Sequence, residues 1–103
     1  MDARRSALIE HFTNRCSMAM GEANRLADLN IRLHDALQTQ DVRFTFAKKD
    51  GTIREAYGTM RSDVIPNIRG TGRPLGFECQ LFFDIERQGY RSFRKELLIS
   101  IDV

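Results

Sequence analysis

The stretch VRFTFAKKDGTIREAYGTM, residues 42–60, decides the fold of this chain, because two alternating runs flank a turn signal. Val42, Phe44 and Phe46 would lie on one face of a strand, with Arg43, Thr45 and Ala47 on the other, as in a strand that buries one face. Asp50-Gly51 is a dipeptide that tight turns between antiparallel strands prefer. The stretch therefore predicts a β-hairpin.

Two registers of this hairpin are open, and a slip of one residue would exchange its two faces. A two-residue turn would pair Phe44 with Tyr57. A type I turn that ends in a left-handed bulge at Gly51 would instead pair Phe44 with Ala56. We favour the second register, because it sets a large side chain against a small one.

Length and composition indicate one small folded domain. A chain of 103 residues can build one modest core and is too short for two. Hydrophobic residues make up 42% of the chain and charged residues 29%, a balance typical of folded soluble proteins. No apolar run approaches the roughly 20 residues of a membrane span, and the N-terminus lacks the apolar core of a signal peptide. We therefore expect a cytoplasmic protein that does not bind membranes.

The residues that commonly carry reactions or hold metals are few and widely spaced. Cys16 and Cys79 lie among apolar neighbours and indicate buried thiols. Neither they nor His11 and His34 follow a zinc-finger, HExxH or CxxC spacing. The sequence also fixes no nucleophile or carboxylate beside either histidine, as catalysis by such a pair requires. It predicts no catalytic residue, metal, cofactor or small-molecule substrate, and we expect a protein that is not an enzyme.

Residues 3 to about 38 indicate helix, since one apolar stripe follows the 3.6-residue period. Asn30 is the one polar gap in this stripe. The stripe stays in phase across Gly21, so one long helix is open, but a break between Ser17 and Gly21 would give two helices of more ordinary length. We favour the break. The stripe comprises Leu8, Phe12, Cys16, Ala19, Ala23, Leu26, Leu33 and Leu37.

The remainder of the chain, about 60 residues, is too small to cover this whole stripe. Part of the stripe should therefore pack against another helix. Since large exposed apolar patches usually mark interfaces, we expect the helices to contact a second copy of the chain, as in a homodimer, or another protein partner. The predicted interface residues are Leu8, Phe12, Leu26, Leu33 and Leu37.

The segment RSDVIPNIRGTGRPLG, residues 61–76, is the loop that we expect to carry function. It holds both prolines and three arginines, and it is longer than most connections in compact domains. Its Gly70-Thr71-Gly72 run lacks the GxxxxGK[ST] pattern of phosphate-binding loops, and no helix is predicted after it. The loop therefore indicates no nucleotide pocket.

Alternation returns after this loop and indicates three more strands. Residues 86–89 turn the chain after the first of them, and residues 90–94 and 97–103 supply the last two. The first strand has an apolar face that comprises Phe77, Cys79, Leu81, Phe83 and Ile85. The apolar face of the last strand comprises Leu97, Ile99, Ile101 and Val103.

Five short antiparallel strands suit a small closed barrel, because closure removes the exposed edges of a sheet. The predicted fold class is α+β. A helical segment over residues 1–41 precedes a five-stranded β-barrel over residues 42–103, and the two form one compact unit.

Several runs in the second part of the chain resemble one protein family. They are FTFAKKDGTIREAYGTM, VIP, GTGRP and FFDIERQGYRSFRKELLISI. A KKDGT hairpin, a proline-containing loop and a closing D-x-E-x-x-x-[WY]-R-S-F-R segment resemble the DUF2693 type of small bacterial and phage proteins. The resemblance covers residues 42–103 and implies an SH3-like β-barrel, without an established activity or catalytic residues. Tyr90 stands where tryptophan is common in that family.

The basic residues point to a second type of partner. Arginine accounts for 13 of the 16 basic residues, and its guanidinium suits bidentate contact with carboxylate or phosphate. The excess lies in residues 42–103, which hold eleven basic and eight acidic residues. A surface able to hold phosphates and stack a base would comprise Arg69, Arg73, Tyr90, Arg91, Arg94 and Lys95. Alternatively, Asp84 or Glu86 pairs with Arg91 or Arg94 in a purely structural network.

Two functional hypotheses follow from these patterns. The first is a non-enzymatic interaction module that binds a protein partner or itself. The alternative is a nucleic-acid-binding accessory protein that uses the arginine-rich face of the barrel and the long loop. Lys48 and Lys49, at the tip of the first hairpin, indicate only a solvated turn.

Overall fold

The computed structural model describes residues 2–65 and 76–102, which form two helices followed by five strands. A single 3-10 turn, Lys95–Leu97, separates the last two strands. The helices are α1 (Ala3–Asn14) and α2 (Met20–Thr39), and the strands are β1 (Val42–Ala47), β2 (Ile53–Thr59), β3 (Cys79–Asp84), β4 (Gly89–Arg94) and β5 (Leu98–Asp102). The predicted α+β fold class is confirmed.

The helical segment is broken, as the sequence favoured, and the break lies at residues 15–19. The carboxylate of Asp2 caps the start of α1 by accepting a hydrogen bond from the Arg4 N–H. After α1, Ser17 adopts a left-handed backbone with φ of 54°, and the Met18 N–H donates to the Phe12 carbonyl at 3.0 Å. This closure uses a carbonyl that the helix end leaves free and turns the chain back on itself.

The two helices form an antiparallel hairpin, because residues at the start of α1 pair with residues of α2. Arg4 bonds Asp35 at 2.8 Å, and Arg5 bonds Asp28 at 2.8 Å. Part of the apolar stripe therefore packs against another helix of the same chain, as predicted.

The helical hairpin contradicts the assumption behind the predicted interface, namely that the apolar stripe is exposed. The five residues proposed to contact a partner are all buried within this chain, because the helices cover each other and α2 also contacts the sheet. They are 3% exposed or less, so these five side chains are not available to a partner. The five are Leu8, Phe12, Leu26, Leu33 and Leu37.

The five strands form one antiparallel sheet in the order β4-β3-β2-β1-β5. Phe44 pairs with Ala56, so the favoured register of the first hairpin is confirmed. Gly51 has φ of +89°, and its N–H donates to the Lys48 carbonyl at 2.9 Å, as the predicted bulge turn requires. The sequence of the turn thus sets which face of β1 is buried.

The sheet is strongly curled. In a flat sheet, strands three positions apart would be separated by about 14 Å, since neighbouring strands lie about 4.8 Å apart. β1 and β4 are three positions apart, yet the rings of Phe46 and Phe93 stack with centroids 4.9 Å apart. Phe44 and Phe82, from β1 and β3, meet edge to face at 5.0 Å. These four rings fill the inside of the curl and form the centre of the core.

The predicted apolar face of β3 is wrong in part. Phe83 is buried as expected of that face, but Leu81 and Phe77 are 36% and 48% exposed. Phe82, on the opposite face, is completely buried, and its neighbours Gln80 and Asp84 are buried as well. The curl of the sheet turns this face inwards, because from there the Phe82 ring reaches Phe44.

The predicted face of the last strand is also wrong in part. A β-bulge shifts the pairing of β1 and β5 between Thr45 and Phe46, so that Phe46 pairs with Leu98. Leu98 is consequently buried, and Ile99 is 43% exposed. Leu97 belongs to the 3-10 turn, and the predicted contribution of Val103 lies outside the described residues.

Helix α2 is joined to the sheet by hydrogen bonds as well as by apolar contacts. The side-chain amide of Asn30, the polar gap in the stripe, donates to the Leu26 carbonyl at 2.9 Å and to the Lys95 carbonyl at 3.0 Å. The Met60 N–H, just beyond β2, donates to the Leu37 carbonyl at 2.8 Å. Buried side chains of helices and strands belong to one core cluster. Neither described helix has the length and hydropathy needed to cross a membrane.

Candidate binding cleft beside strand β4

The residues predicted to bind nucleic acid do not form one free cationic face in the part of the chain that the structure describes. Arg69 and Arg73 lie outside the described residues. Arg91 and Arg94 are three residues apart on β4, so their side chains leave opposite faces of the strand. Arg91 Nε lies 3.5 Å from Asp84 Oδ2, and Arg94 Nε donates to Glu96 Oε2 at 2.7 Å.

The other two residues of that set, Lys95 and Tyr90, contact aromatic rings. The ammonium of Lys95 lies 4.7 Å from the centre of the Phe77 ring, a cation–π contact. Burial lowers the pKa of Lys95, because the charged form is less well solvated there. Tyr90 packs edge to face against Phe83, with ring centroids 5.3 Å apart. Both residues therefore have partners within the chain.

Asp84 is the centre of a buried ionic cluster that the sequence indicated only in part. Its carboxylate is 1% exposed and accepts hydrogen bonds from Arg54 Nη2 at 2.8 Å and from the Arg87 N–H at 3.0 Å. The predicted pairing of Asp84 with Arg91 is present, whereas Arg94 pairs with Glu96. A buried carboxylate with two guanidinium partners holds β2, β3 and β4 together at this end of the sheet.

A cleft of about 220 Å³ lies where the curl brings the end of β1 close to the end of β4. Its cationic lining consists of Lys48 and Lys49 from the first hairpin and Arg94 from β4. Lys48 and Lys49 are exposed and form no ion pair within residues 2–65 and 76–102. The remaining lining residues are Phe46, Ala47, Cys79, Ser92, Phe93 and Leu97. An apolar floor beside exposed ammonium groups can hold an acidic group attached to an apolar body.

Strand β4 offers a second binding feature next to this cleft. It pairs with β3 along its whole length, and no strand of the described residues pairs with its other edge. Such an edge presents backbone N–H and C=O groups that an extended peptide can bind. Ser92, Phe93 and Arg94 belong to both the edge strand and the lining of the cleft, so the two features are continuous.

Lys48 and Lys49 are the members of this cleft that sequence reasoning missed. They were assigned to a solvated turn, and they are indeed exposed at the tip of the hairpin. Their approach to β4 depends on the curl of the sheet, which no local pattern encodes. The KKDGT run could have signalled them only through the family resemblance, which carries no binding role.

One protein-family model agrees with this architecture at the level of the fold. A family model named WYL_2, described as an Sm-like SH3 beta-barrel fold, matches residues 30–99. The match begins at Asn30 in α2 and includes strands β1 to β4 and the start of β5. No curated protein and no solved structure matches the chain significantly. Because the matched segment is more than half of the chain, this protein belongs to the WYL_2 family of Sm-like SH3 β-barrels.

Proposed function

We propose that this protein, as a DUF2693-type SH3-like barrel of the cytoplasm, is a non-enzymatic interaction module that binds an extended acidic segment of another protein. The segment lies along the free edge of β4, and its acidic side chains enter the cleft lined by Lys48, Lys49 and Arg94. The observation that carries the proposal is the continuity of the basic cleft with the edge of β4 that no strand of the described residues pairs with.

The edge of β4 supports a partner in extended conformation. Strand addition gives affinity through main-chain hydrogen bonds, which any peptide sequence can make. Specificity then has to come from side chains near the edge. At the C-terminal end of β4 these are a hydroxyl, an aromatic ring and a guanidinium, from Ser92, Phe93 and Arg94.

The charges of the cleft support an acidic partner. Arg94 already bonds Glu96, but Lys48 and Lys49 have no ion-pair partner among the described residues. An acidic side chain would gain two ammonium groups without displacing an existing pair. Such exposed charges contribute mainly to the rate of association and to the choice of partner.

The direct experiment measures fluorescence anisotropy with a labelled peptide of alternating glutamate and valine. Lys49→Glu should weaken binding by roughly tenfold, which corresponds to about 1.4 kcal/mol. Arg32→Glu is the matched control, because Arg32 is exposed on α2 and its replacement changes the net charge equally. Equal loss in both variants would mean that only net charge matters and would contradict a defined cleft.

Nucleic acid is the second candidate partner, because the same unpaired lysines can hold phosphates. A single-stranded oligonucleotide tested in parallel distinguishes it from a protein segment. If the oligonucleotide bound and the peptide did not, nucleic acid and not a protein segment would be the ligand of the cleft. In that case log Kd should rise with log salt by roughly 0.7 per phosphate contacted. A second copy of the chain is a further possible occupant, and light scattering of wild type and the Lys49→Glu variant would reveal it as a dimer lost on substitution.

A further inference from the structure

Two side chains of the helical hairpin meet a third from the turn between β4 and β5. His11 lies in the last turn of α1, Cys16 lies in the connection to α2, and Glu96 lies in the 3-10 turn between β4 and β5. Their ligand atoms lie within 4.8 Å of one another. The left-handed turn at Ser17 and the fold of the helical hairpin onto the sheet bring them together.

The three groups are arranged around a common centre and not as a catalytic relay. Cys16 Sγ lies 3.9 Å and Glu96 Oε1 lies 4.0 Å from the same atom, His11 Nε2. In a catalytic triad the nucleophile and the carboxylate contact different ring nitrogens. Burial, and after it the charge of Glu96, raises the pKa of the Cys16 thiol, which is the opposite of what an activated nucleophile needs.

The two oxygens of the Glu96 carboxylate differ in their partners. Oε2 accepts the hydrogen bond from Arg94, which fixes the carboxylate in place. Oε1 is buried and has no hydrogen-bond partner among residues 2–65 and 76–102. A buried polar atom without a partner is costly and calls for a ligand or another explanation. This atom is also the one that points towards His11.

We propose that His11 Nε2, Cys16 Sγ and Glu96 Oε1 form a binding site for a transition-metal ion of the Zn²⁺ class. Nitrogen, sulfur and oxygen donors of this kind are typical ligands of Zn²⁺ and Co²⁺, whereas Mg²⁺ and Ca²⁺ prefer oxygen donors alone. Arg94 would orient the ligating carboxylate through its hydrogen bond, as outer-shell partners of metal ligands do.

The three ligand atoms must move closer together to hold an ion. With metal–ligand bonds of about 2.0 to 2.3 Å, tetrahedral ligand atoms lie about 3.3 to 3.6 Å apart. The distances of 3.9 and 4.0 Å to His11 Nε2 exceed this by a few tenths of an ångström, and the three atoms as a group lie within 4.8 Å of one another, so a bound ion would draw Cys16 and Glu96 together. The side chains of His11 and Glu96 are 15% and 16% exposed, so the site lies close to the surface. Three protein ligands leave a fourth position for water or another ligand, and the ion would connect both helices to the barrel.

The test titrates metal-free full-length protein with Co²⁺ and records the absorption spectrum. Wild type should bind one ion per chain and develop a thiolate-to-cobalt charge-transfer band. Cys16→Ser should lose that band, and His11→Gln and Glu96→Gln should raise Kd by more than the roughly 100-fold that loss of an outer-shell partner causes. The same pattern should appear as stabilisation by Zn²⁺, because an ion that binds only the folded state raises Tm.

Cys79→Ser and His34→Gln are the matched controls, since they remove the other cysteine and the other histidine. Both should keep the band and the wild-type Kd. Comparison of Tm in the presence of a chelator shows whether each ligand variant still folds, and any one ligand variant that folds is sufficient for the test. The proposal is overturned if wild type gives no band, or if the band survives in Cys16→Ser or disappears in Cys79→Ser.

Discussion

Gly58 shows how a single residue permits the curl of the sheet. A Cβ atom built on Gly58 would lie 2.6 Å from Cδ2 of Phe82 and 3.3 Å from the Phe83 carbonyl. Phe82 is completely buried against Phe44, so its ring has no free space to move into. β3 can therefore approach β2 only where β2 lacks a side chain.

We expect Gly58→Ala to destabilise the protein by about 1 to 3 kcal/mol, the usual cost of overpacking a core. Gly21→Ala is the matched control. Gly21 lies exposed in α2 with no atom near its missing Cβ, so alanine there should stabilise by about 1 kcal/mol through helix propensity. Urea denaturation measures both changes in the free energy of unfolding. A neutral or stabilising effect of Gly58→Ala would show that the contact with Phe82 does not limit the approach of the strands.

Asp84 shows why the alternation of apolar and polar residues predicted the wrong buried face for β3. A carboxylate in an alternating strand is normally assigned to the solvent face, because burying a charge is costly unless it is paired. Here two arginines and a backbone N–H supply that pairing. Arg54 comes from β2, far from Asp84 in sequence, so the compensation could not be inferred locally.

At the scale of the elements, Asn30 determines how α2 is attached to the barrel. A polar residue in an apolar stripe normally weakens helix packing. Its amide instead donates to the Lys95 carbonyl, and this bond ties α2 to the 3-10 turn that connects β4 with β5. The same turn carries Glu96 of the proposed metal site.

Asn30→Ala should lower the free energy of unfolding by about 1 to 3 kcal/mol, since it removes the two hydrogen bonds that the buried Asn30 amide donates to the Leu26 and Lys95 carbonyls. Asn14→Ala provides the comparison, because Asn14 is exposed at the end of α1 and surface changes are usually within about 0.5 kcal/mol. Thermal unfolding followed by circular dichroism measures both. A loss under 0.5 kcal/mol for Asn30→Ala would show that water replaces the bond.

At the scale of the whole molecule, helices and sheet share one core. Leu26, Leu33 and Leu37 are buried in the same cluster as the phenylalanines of the sheet. The family match likewise begins inside α2 and not at the first strand. The helical hairpin is therefore a structural part of this fold.

A chain that starts at Asp41 should consequently fail to form a stable barrel. Removing the helices would expose the apolar surface that α2 covers. A domain of about 60 residues has a small free energy of unfolding, so this loss of burial should prevent stable folding. We expect poorly dispersed amide resonances and no cooperative thermal transition, in contrast to the full-length chain. A cooperative transition in the truncated protein would show instead that the barrel folds independently.

Part of the fold and little of the candidate sites could be predicted from the sequence by itself. The favoured hairpin register, the break between the helices and the presence of five strands were all predictable. Each depends on neighbours within a few residues, on the bulge at Gly51 or on the spacing of leucines along a helix. Backbone conformation and periodicity are local properties, so the sequence records them directly.

Only the tertiary structure decided which faces are buried and which side chains meet. The curl of the sheet turned Phe82 inwards, brought the Lys48 end of β1 towards β4, and left Leu81 exposed. The folding of the helices onto each other and onto the sheet buried the stripe that had suggested an interface, and it placed Cys16 beside Glu96. These contacts join residues that are far apart in the chain, and their geometry follows from how whole elements pack, which no short window of sequence contains.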